Sequence, residues 1–318
     1  MPKVSVIIPI YGVEKYIERC ARSLLEQTLD DIEYIFINDC TRDSSIEILQ
    51  NVIQEYPHRK KQIKIENMLT NSGQAAVRKH GIHLATGDYI IQCDSDDWVN
   101  PMMYELMYNQ AITQKVDIVS CDYIETDGHN HKKICCQFNN EKHDLISKLV
   151  SQEIAVAVWN KLVRREIYKN ANSIIYPTHN MGEDYVISVQ LAIKSASFVH
   201  IATPLYYYYY NINSISNNTN TNHIINKWLG LNKNILLVSD ILKKHNIYEE
   251  YKLEIEKTIY RYKDNIIPYI ALDTKYRKIW LNMYPNFNFF TERGLKNKIR
   301  YIIIYLGLYP IMRKLMKL

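Results

Sequence analysis

Residues 4–10 read VSVIIPI, residues 32–37 IEYIFI and residues 89–93 YIIQC. Each is a short, largely apolar run rich in β-branched or aromatic residues, which predicts a buried strand. Between them the period changes. Within residues 14–28, Ile17, Cys20, Ala21, Leu24 and Leu25 fall at helical spacing. Residues 44–56 and 74–85 read as further helices, Ile63–Ile65 as a short strand, and a helix over 101–114 leads into a strand at Asp117–Cys121. This alternation predicts an α/β fold, a mostly parallel sheet with helices on both faces. In such sheets ligands sit outside the carboxyl ends of the strands, so the polar residues that follow each strand are the first candidates for function.

Farther along, residues 125–145 are polar and read as a surface excursion, and residues 145–195 read as helical with interruptions. Residues 198–210 read as a strand that contains the run Tyr206–Tyr210, whose aromatic rings either pack or line a cleft. Residues 211–223 form a polar loop, and from 224 onward the pattern is helical.

The chain has 318 residues, 47% hydrophobic and 23% charged, enough to bury a core and unlike a disordered chain. Its 26 Tyr against nine Gly and nine Pro exclude collagen-like and Pro/Gly-rich classes. The net charge of +5 hides a split: residues 1–221 carry 21 Lys and Arg against 26 Asp and Glu, residues 222–318 carry 18 against eight. A mildly acidic body and a basic tail predict two domains, 1–221 and 222–318, with different jobs. The six Cys form no CxxC pair or metal-ligand spacing, and the N-terminal apolar run lacks a signal-peptide cleavage site. A cytoplasmic protein with reduced thiols is the expectation. No HExxH, GxSxG, Walker A or GxGxxG pattern is present, which argues against the corresponding metalloprotease, hydrolase, P-loop and dinucleotide classes.

Three polar clusters follow strands: Pro9-Ile10-Tyr11-Gly12, Asn38-Asp39-Cys40-Thr41-Arg42-Asp43, and Asp94-Ser95-Asp96-Asp97-Trp98. Asp39 or Asp43 alone reads equally well as a helix cap. Three carboxylates within four residues repel one another unless a cation or solvent screens them. Hard oxygen donors of this kind suit Mg²⁺ or Mn²⁺, which takes one or two carboxylates and completes its shell with substrate phosphates. The bland alternative is a turn that caps the helix after Pro101. Glu183 and Asp184 likewise suit either proton transfer or the N-terminus of a helix over 183–194.

The segments VSVIIPIYG (4–12), NDCTRDSS (38–45), NSGQAAVRKHG (71–81), ATGDYIIQCDSDDW (85–98), VWNKLVRREIY (158–168), GEDY (182–185) and PLYYYYYNINSIS (204–216) occur in this order. The set resembles the bacterial family 2 glycosyltransferases of the GT-A fold, over residues 3–216. The resemblance implies that Pro9 and Tyr11 line the nucleotide base pocket and that Asp39 hydrogen-bonds the base. It implies that Asn71 and Gly73 shape the loop beside the nucleotide and that Arg78 approaches the donor. Asp94, with Ser95 beside it, would contact the ribose or the metal, and Asp96 would bind the metal that bridges the diphosphate. Asp184 would be the general base with Glu183 in reserve. Lys161, in the Trp159-Asn160-Lys161 stretch, would lie near the donor, and the loop around Ser214-Ile215-Ser216 would close over it. The chain departs from the family pattern at Gly12, where Asn is usual, at Asn38, where a second Asp is common, and at Tyr209-Tyr210-Asn211, where an Arg often stands.

The implied activity is metal-dependent, inverting transfer of a sugar from a nucleotide donor, UDP-linked in expectation, to a saccharide hydroxyl in surface polysaccharide or lipopolysaccharide assembly. With no QxxRW motif, one addition per encounter is expected. The alternatives are a nucleotidyltransferase, for which the Gly-rich basic N-terminal loop is missing, and a non-catalytic nucleotide-sugar-binding scaffold. In the tail, Lys296, Lys298 and Arg300 precede an apolar stretch and Arg313, Lys314 and Lys317 follow it, while Ile299, Ile302, Ile303 and Leu306 share a helical face and Pro310 kinks or ends the helix. Two readings stand: a segment in the interface of an anionic membrane, apt for a lipid-linked acceptor at the inner face, or a helix docked on the catalytic domain. Nucleic acid is not an expected partner, because no binding motif accompanies the charge.

Overall fold

The computed structural model describes residues 1–137, 139, 141–169, 174–177, 182–210, 220–283 and 294–315. It has two compact units, Met1–Asn217 and Asn218–Leu318.

The first unit begins with β1 (Val4–Ile10), α1 (Ile17–Leu25), β2 (Ile32–Asn38), α2 (Ser45–Gln54), β3 (Ile63–Asn67), α3 (Gln74–Leu84), β4 (Tyr89–Gln92), β5 (Trp98–Val99) and α4 (Met103–Gln114). It continues with β6 (Ile118–Thr126), β7 (His131–Ile134), α5 (Lys142–Ser151), β8 (Lys161–Arg164), α6 (Arg165–Lys169), α7 (Glu183–Lys194) and β9 (Phe198–Tyr209). The strands form one sheet in the order β3-β2-β1-β4-β8-β6-β9-β5, with β7 paired to β6. The β3-β2-β1-β4 half is parallel, and β9 is parallel to β6. In register, Ile10 stands beside Asn38 and Ile7 beside Gln92, so these strands end at one edge.

Alternation along β1 sets the layers. Val4, Val6, Ile8 and Ile10 join Tyr34 and Phe36 of β2 in a core with the apolar faces of α1, α2 and α4. Ile7, on the opposite face, touches α3 at Gly81, where a Cβ would come within 2.4 Å of the Ile7 side chain. A strand covered on both faces has to be apolar on both, which explains the run VSVIIPI. Pro9 is tolerated because it faces the β4 side, as Ile7 does, beyond the last paired residue, Gln92.

The mixed half of the sheet corrects the sequence expectation. The stretch expected to be helical over 145–195 contains β8, which is antiparallel to both β4 and β6. Four residues bounded by Lys161 and Arg164 carry too little period to be told from a helix segment. The excursion expected over 125–145 holds the edge strand β7, paired from Tyr123–Ile134 to Thr126–His131.

The second unit comprises α8 (Thr221–Lys244), α9 (Lys252–Ile270), α10 (Thr274–Asn282), α11 (Leu295–Tyr305) and α12 (Tyr309–Leu315). The loop expected through 223 ends sooner, because the Asn220 side chain caps α8 by accepting from the Asn222 and His223 N–H groups. The break expected at Pro310 falls earlier: α11 stops at Tyr305, Gly307 takes φ +79°, and Pro310 sits in the first turn of α12, where its missing N–H costs nothing. Among the described residues, no helix is long and apolar enough to cross a membrane.

The approach of β4 to β1 depends on Gly87, where a Cβ would stand 2.7 Å from the Ser5 backbone nitrogen. Gly87→Ala should destabilise the first unit by about 1–3 kcal/mol. A urea midpoint equal to the parent's would show that β1 and β4 separate without cost.

Candidate active site

The loops after β1 and β2 are stitched to each other by the residues that follow the strands. The Gly12 N–H donates to the Thr41 hydroxyl (2.9 Å) and the Glu14 N–H to the Asp43 carboxylate (3.0 Å). Asp43 also accepts from the Thr41 and Ser45 hydroxyls at 2.7 and 2.6 Å, and these bonds draw its pKa down against the opposing effect of burial. Asp43 is therefore a loop anchor. Asp39 is 4% exposed, and its two oxygens accept from the Ser72 (2.7 Å) and Gly73 (2.9 Å) N–H groups. Gly73 holds φ +81° at the start of α3, a conformation costly for any side chain. Asn71, exposed beside it, donates to the Asp39 carbonyl at 3.3 Å. Asp39, Asn71 and Gly73 thus form one cradle at the sheet edge, and Tyr11, 55% exposed, and Pro9 lie on the neighbouring strand end.

The three carboxylates after β4 separate into different environments. Asp97 is fully buried; it accepts from the Tyr206 hydroxyl at 2.6 Å and from the Tyr209 N–H at 2.7 Å. Burial, with the charges of Asp96 and Asp94, pushes its pKa well up. The Tyr206 oxygen in turn accepts from the Asp94 N–H (3.1 Å), so one phenol clamps both ends of the loop to β9. Asp94 and Asp96 remain partly exposed. The Asp94 carboxylate accepts from Gln74 Nε2 (3.1 Å) and Arg78 (2.7 Å). The Asp96 carbonyl accepts from Arg19 (2.9 Å), whose guanidinium lies 3.7 Å from the centre of the Trp98 ring and 4.6 Å from that of Tyr209.

Arg78 joins this loop to α7. The side chain is 1% exposed; one terminal nitrogen binds Asp94, and the other binds Glu183 at 2.9 Å and Asp184. Asp184 keeps 20% of its side chain exposed. Burial raises its pKa to about 7, opposed by the Arg78 charge and reinforced by those of Glu183 and Asp94. Its second oxygen faces the Val158 N–H at 3.4 Å. The segment leading to that N–H is itself held: Lys161 donates to the Ala155 and Ala157 carbonyls (2.8 and 2.6 Å) and to the Asn160 side chain (2.9 Å). Trp159 stacks on Tyr206 at 4.2 Å.

Most of the sequence candidates therefore meet at one edge, but three stand deeper than expected. Arg78, expected to approach the donor, is buried among three carboxylates, which repay the desolvation of its charge. Lys161, expected near the donor, is 6% exposed and saturated by three protein acceptors, with burial lowering its pKa to about 8. Ser95 is likewise buried. The loop at Ser214–Ser216 lies outside the described residues. Sequence reasoning missed Arg19, Gln74 and the Tyr206 clamp. Arg19 and Gln74 look like ordinary polar helix positions, and only the tyrosine run gave any signal for the third.

Among the described residues, no three His, Cys, Asp or Glu side chains are arranged to hold a metal by themselves. The partly exposed Asp94 and Asp96 fit a different kind of centre, one or two carboxylates completed by phosphate oxygens from a ligand.

The model of "Glycosyl transferase family 2" matches residues 5–170. The putative glycosyltransferase EpsH of Bacillus subtilis is 30% identical over 266 residues, 81% of this chain and 74% of that protein. The next two curated glycosyltransferases are matched over 54% and 30% of their own length. The structure of S. aureus TarS 1–349 in complex with UDP-GlcNAc superposes with a TM-score of 0.63 over 87% of this chain and 83% of that one, at 18% identity. A mannosyltransferase from Pyrobaculum calidifontis, in complex with GDP-Man and Mn²⁺, gives 0.56 over 99% and 87%, at 12% identity. At such identities the likeness is one of fold.

Removing one partner from a buried ion network leaves uncompensated charge. Arg78→Met should cost about 3–5 kcal/mol of stability in urea unfolding, and Arg78→Lys an intermediate amount, because one ammonium cannot serve three carboxylates. A loss below about 0.5 kcal/mol for Arg78→Met would place the network among dispensable surface pairs.

Proposed function

The chain belongs to glycosyl transferase family 2, and on that premise we propose that it moves one sugar from a nucleoside diphosphate donor to a saccharide hydroxyl, inverting the anomeric carbon. Uridine is the proposed base, and Mg²⁺ or Mn²⁺ the proposed cofactor, held by Asp96 and Asp94. The acceptor is proposed to belong to surface polysaccharide assembly. The observation that carries the reading is the single guanidinium of Arg78 between Asp94, at the strand end where a donor would sit, and Asp184, whose pKa burial raises to about 7.

Asp184 takes the proton from the attacking hydroxyl. A base titrating near neutral pH combines a useful ionised fraction with a real affinity for the proton. Glu183 is buried on the same Arg78 nitrogen and helps to hold the guanidinium, which aims Asp184. Lys161 positions the backbone that ends in the Val158 N–H, and Asp39 positions the Ser72–Gly73 turn beside the proposed base pocket of Pro9 and Tyr11. When bound, the cation supplies positive charge for the leaving diphosphate. Asp96 would hold it from a loop whose backbone is pinned by Arg19 and Tyr206, so little reorganisation would be needed on binding. Direct attack from the face opposite the leaving group inverts the centre.

Three measurements test this. Thermal-shift binding of nucleoside diphosphates and nucleotide sugars, with and without Mn²⁺, should find stabilisation by uridine nucleotides that needs the metal and disappears in Asp96→Ala. Stabilisation by no nucleotide would leave the chain a non-catalytic member of its family. Asp184→Asn should retain donor binding and lose at least about 10²-fold in transfer. The active form of Asp184 is ionised, and its pKa is raised, so kcat/KM should fall about tenfold per pH unit below about 7 and level off above it. A flat profile from pH 5 to pH 8, on an order-of-magnitude scale of activity, would remove Asp184 from the role.

A further inference from the structure

Among the described residues, seven of the eighteen exposed large hydrophobic side chains fall between Leu295 and Ile311. This is not a helix awaiting its core. On one side α11 is already docked within the second unit: Tyr301 and Ile304 are 3% and 0% exposed, the Tyr301 hydroxyl donates to Asp264 at 2.5 Å, Arg300 pairs with Asp264 at 3.2 Å, and Arg277 donates to the Ile304 carbonyl at 2.8 Å. The other side presents Leu295, Ile299, Ile302 and Leu306, at steps of four, three and four residues, with exposures of 73, 48, 42 and 60%. Residues at those steps share one helix face. Ile311 of α12 adds a further side chain at 58%.

The stretch of chain that carries this face has charge of one sign. Residues 294–318 contain six Lys and Arg and no Asp or Glu. A second copy of the chain docked face to face would bring those cations together, whereas an anionic surface complements them. The basic, apolar-faced helix is also too short to span a bilayer and suited to lying in its interface. We propose that the face formed by Leu295, Ile299, Ile302 and Leu306 seats in the headgroup–acyl boundary of an anionic membrane, with Lys298 and Lys314 on the lipid phosphates. The surface lies in the second unit and is independent of the transferase reading.

The test uses the full chain and sucrose-loaded vesicles of phosphatidylcholine, alone or with phosphatidylglycerol. The parent protein should co-sediment with the anionic vesicles about tenfold more strongly than with the neutral ones, and less as salt rises. Ile299→Glu/Ile302→Glu, at exposed positions that leave the melting temperature unchanged, should lose about tenfold or more of that binding. Lys298→Glu/Lys314→Glu should abolish the preference for anionic lipid. Equal sedimentation of parent and Ile299→Glu/Ile302→Glu, or no sedimentation of the parent, overturns the proposal. So does a parent dimer in light scattering that the Ile299→Glu/Ile302→Glu variant dissociates, which would assign the face to a second copy.

Discussion

A guanidinium removed from water is tolerable only if enough negative charge surrounds it, and this constraint organises the first unit. Arg78 sits on α3 with 1% of its side chain exposed, and its carboxylate partners come from the end of β4 and the start of α7. Satisfying it requires the Asp94 loop and the Glu183–Asp184 helix start to approach the same point, although they are separated by about ninety residues of chain. The same constraint tunes what it gathers. Arg78 lowers the pKa of Asp184 while burial and the two other carboxylates raise it, and the balance comes out near neutral.

Around this node, several residues that bear chemical groups serve geometry. Asp97 and Asp43 are acidic, yet one is clamped by Tyr206 and the Tyr209 N–H and the other by hydroxyls and backbone. Lys161 is a cation that spends its donors on carbonyls. Asp94, Asp96 and Asp184 lie partly exposed at the same edge. A loop carrying three neighbouring carboxyl groups holds its shape because one of them is buried with two donors of its own and the loop's backbone is fixed by Arg19 and Tyr206.

The second unit poses a different problem. Its core uses Trp280, Tyr260, Tyr262 and Tyr301, with the Lys263 ammonium 4.3 Å above the Trp280 ring and bonded to the Met283 carbonyl. That packing covers one side of α11 and leaves the other apolar side to solvent, within a stretch free of acidic residues. Exposed apolar surface of this kind marks an interaction site more often than idle surface.

The sequence by itself determined the parallel half of the sheet. Runs such as VSVIIPI and IEYIFI are apolar on both faces because both faces are covered, and that pattern is local. It also determined which strand ends carry carboxylates, and the ordered segments that mark the family. It did not determine β8, since KLVR is too short to show a period and becomes a strand only between β4 and β6. Nor did it separate the partly exposed acids from the buried one. Asp94, Asp96 and Asp97 are neighbours of the same type in sequence, and what distinguishes them is desolvation and the partners brought by Arg78, Arg19 and Tyr206. The tertiary structure alone decided that Arg78 and Lys161 are buried braces, because burial and ion pairing across long stretches of chain are properties of the folded state and leave no local trace.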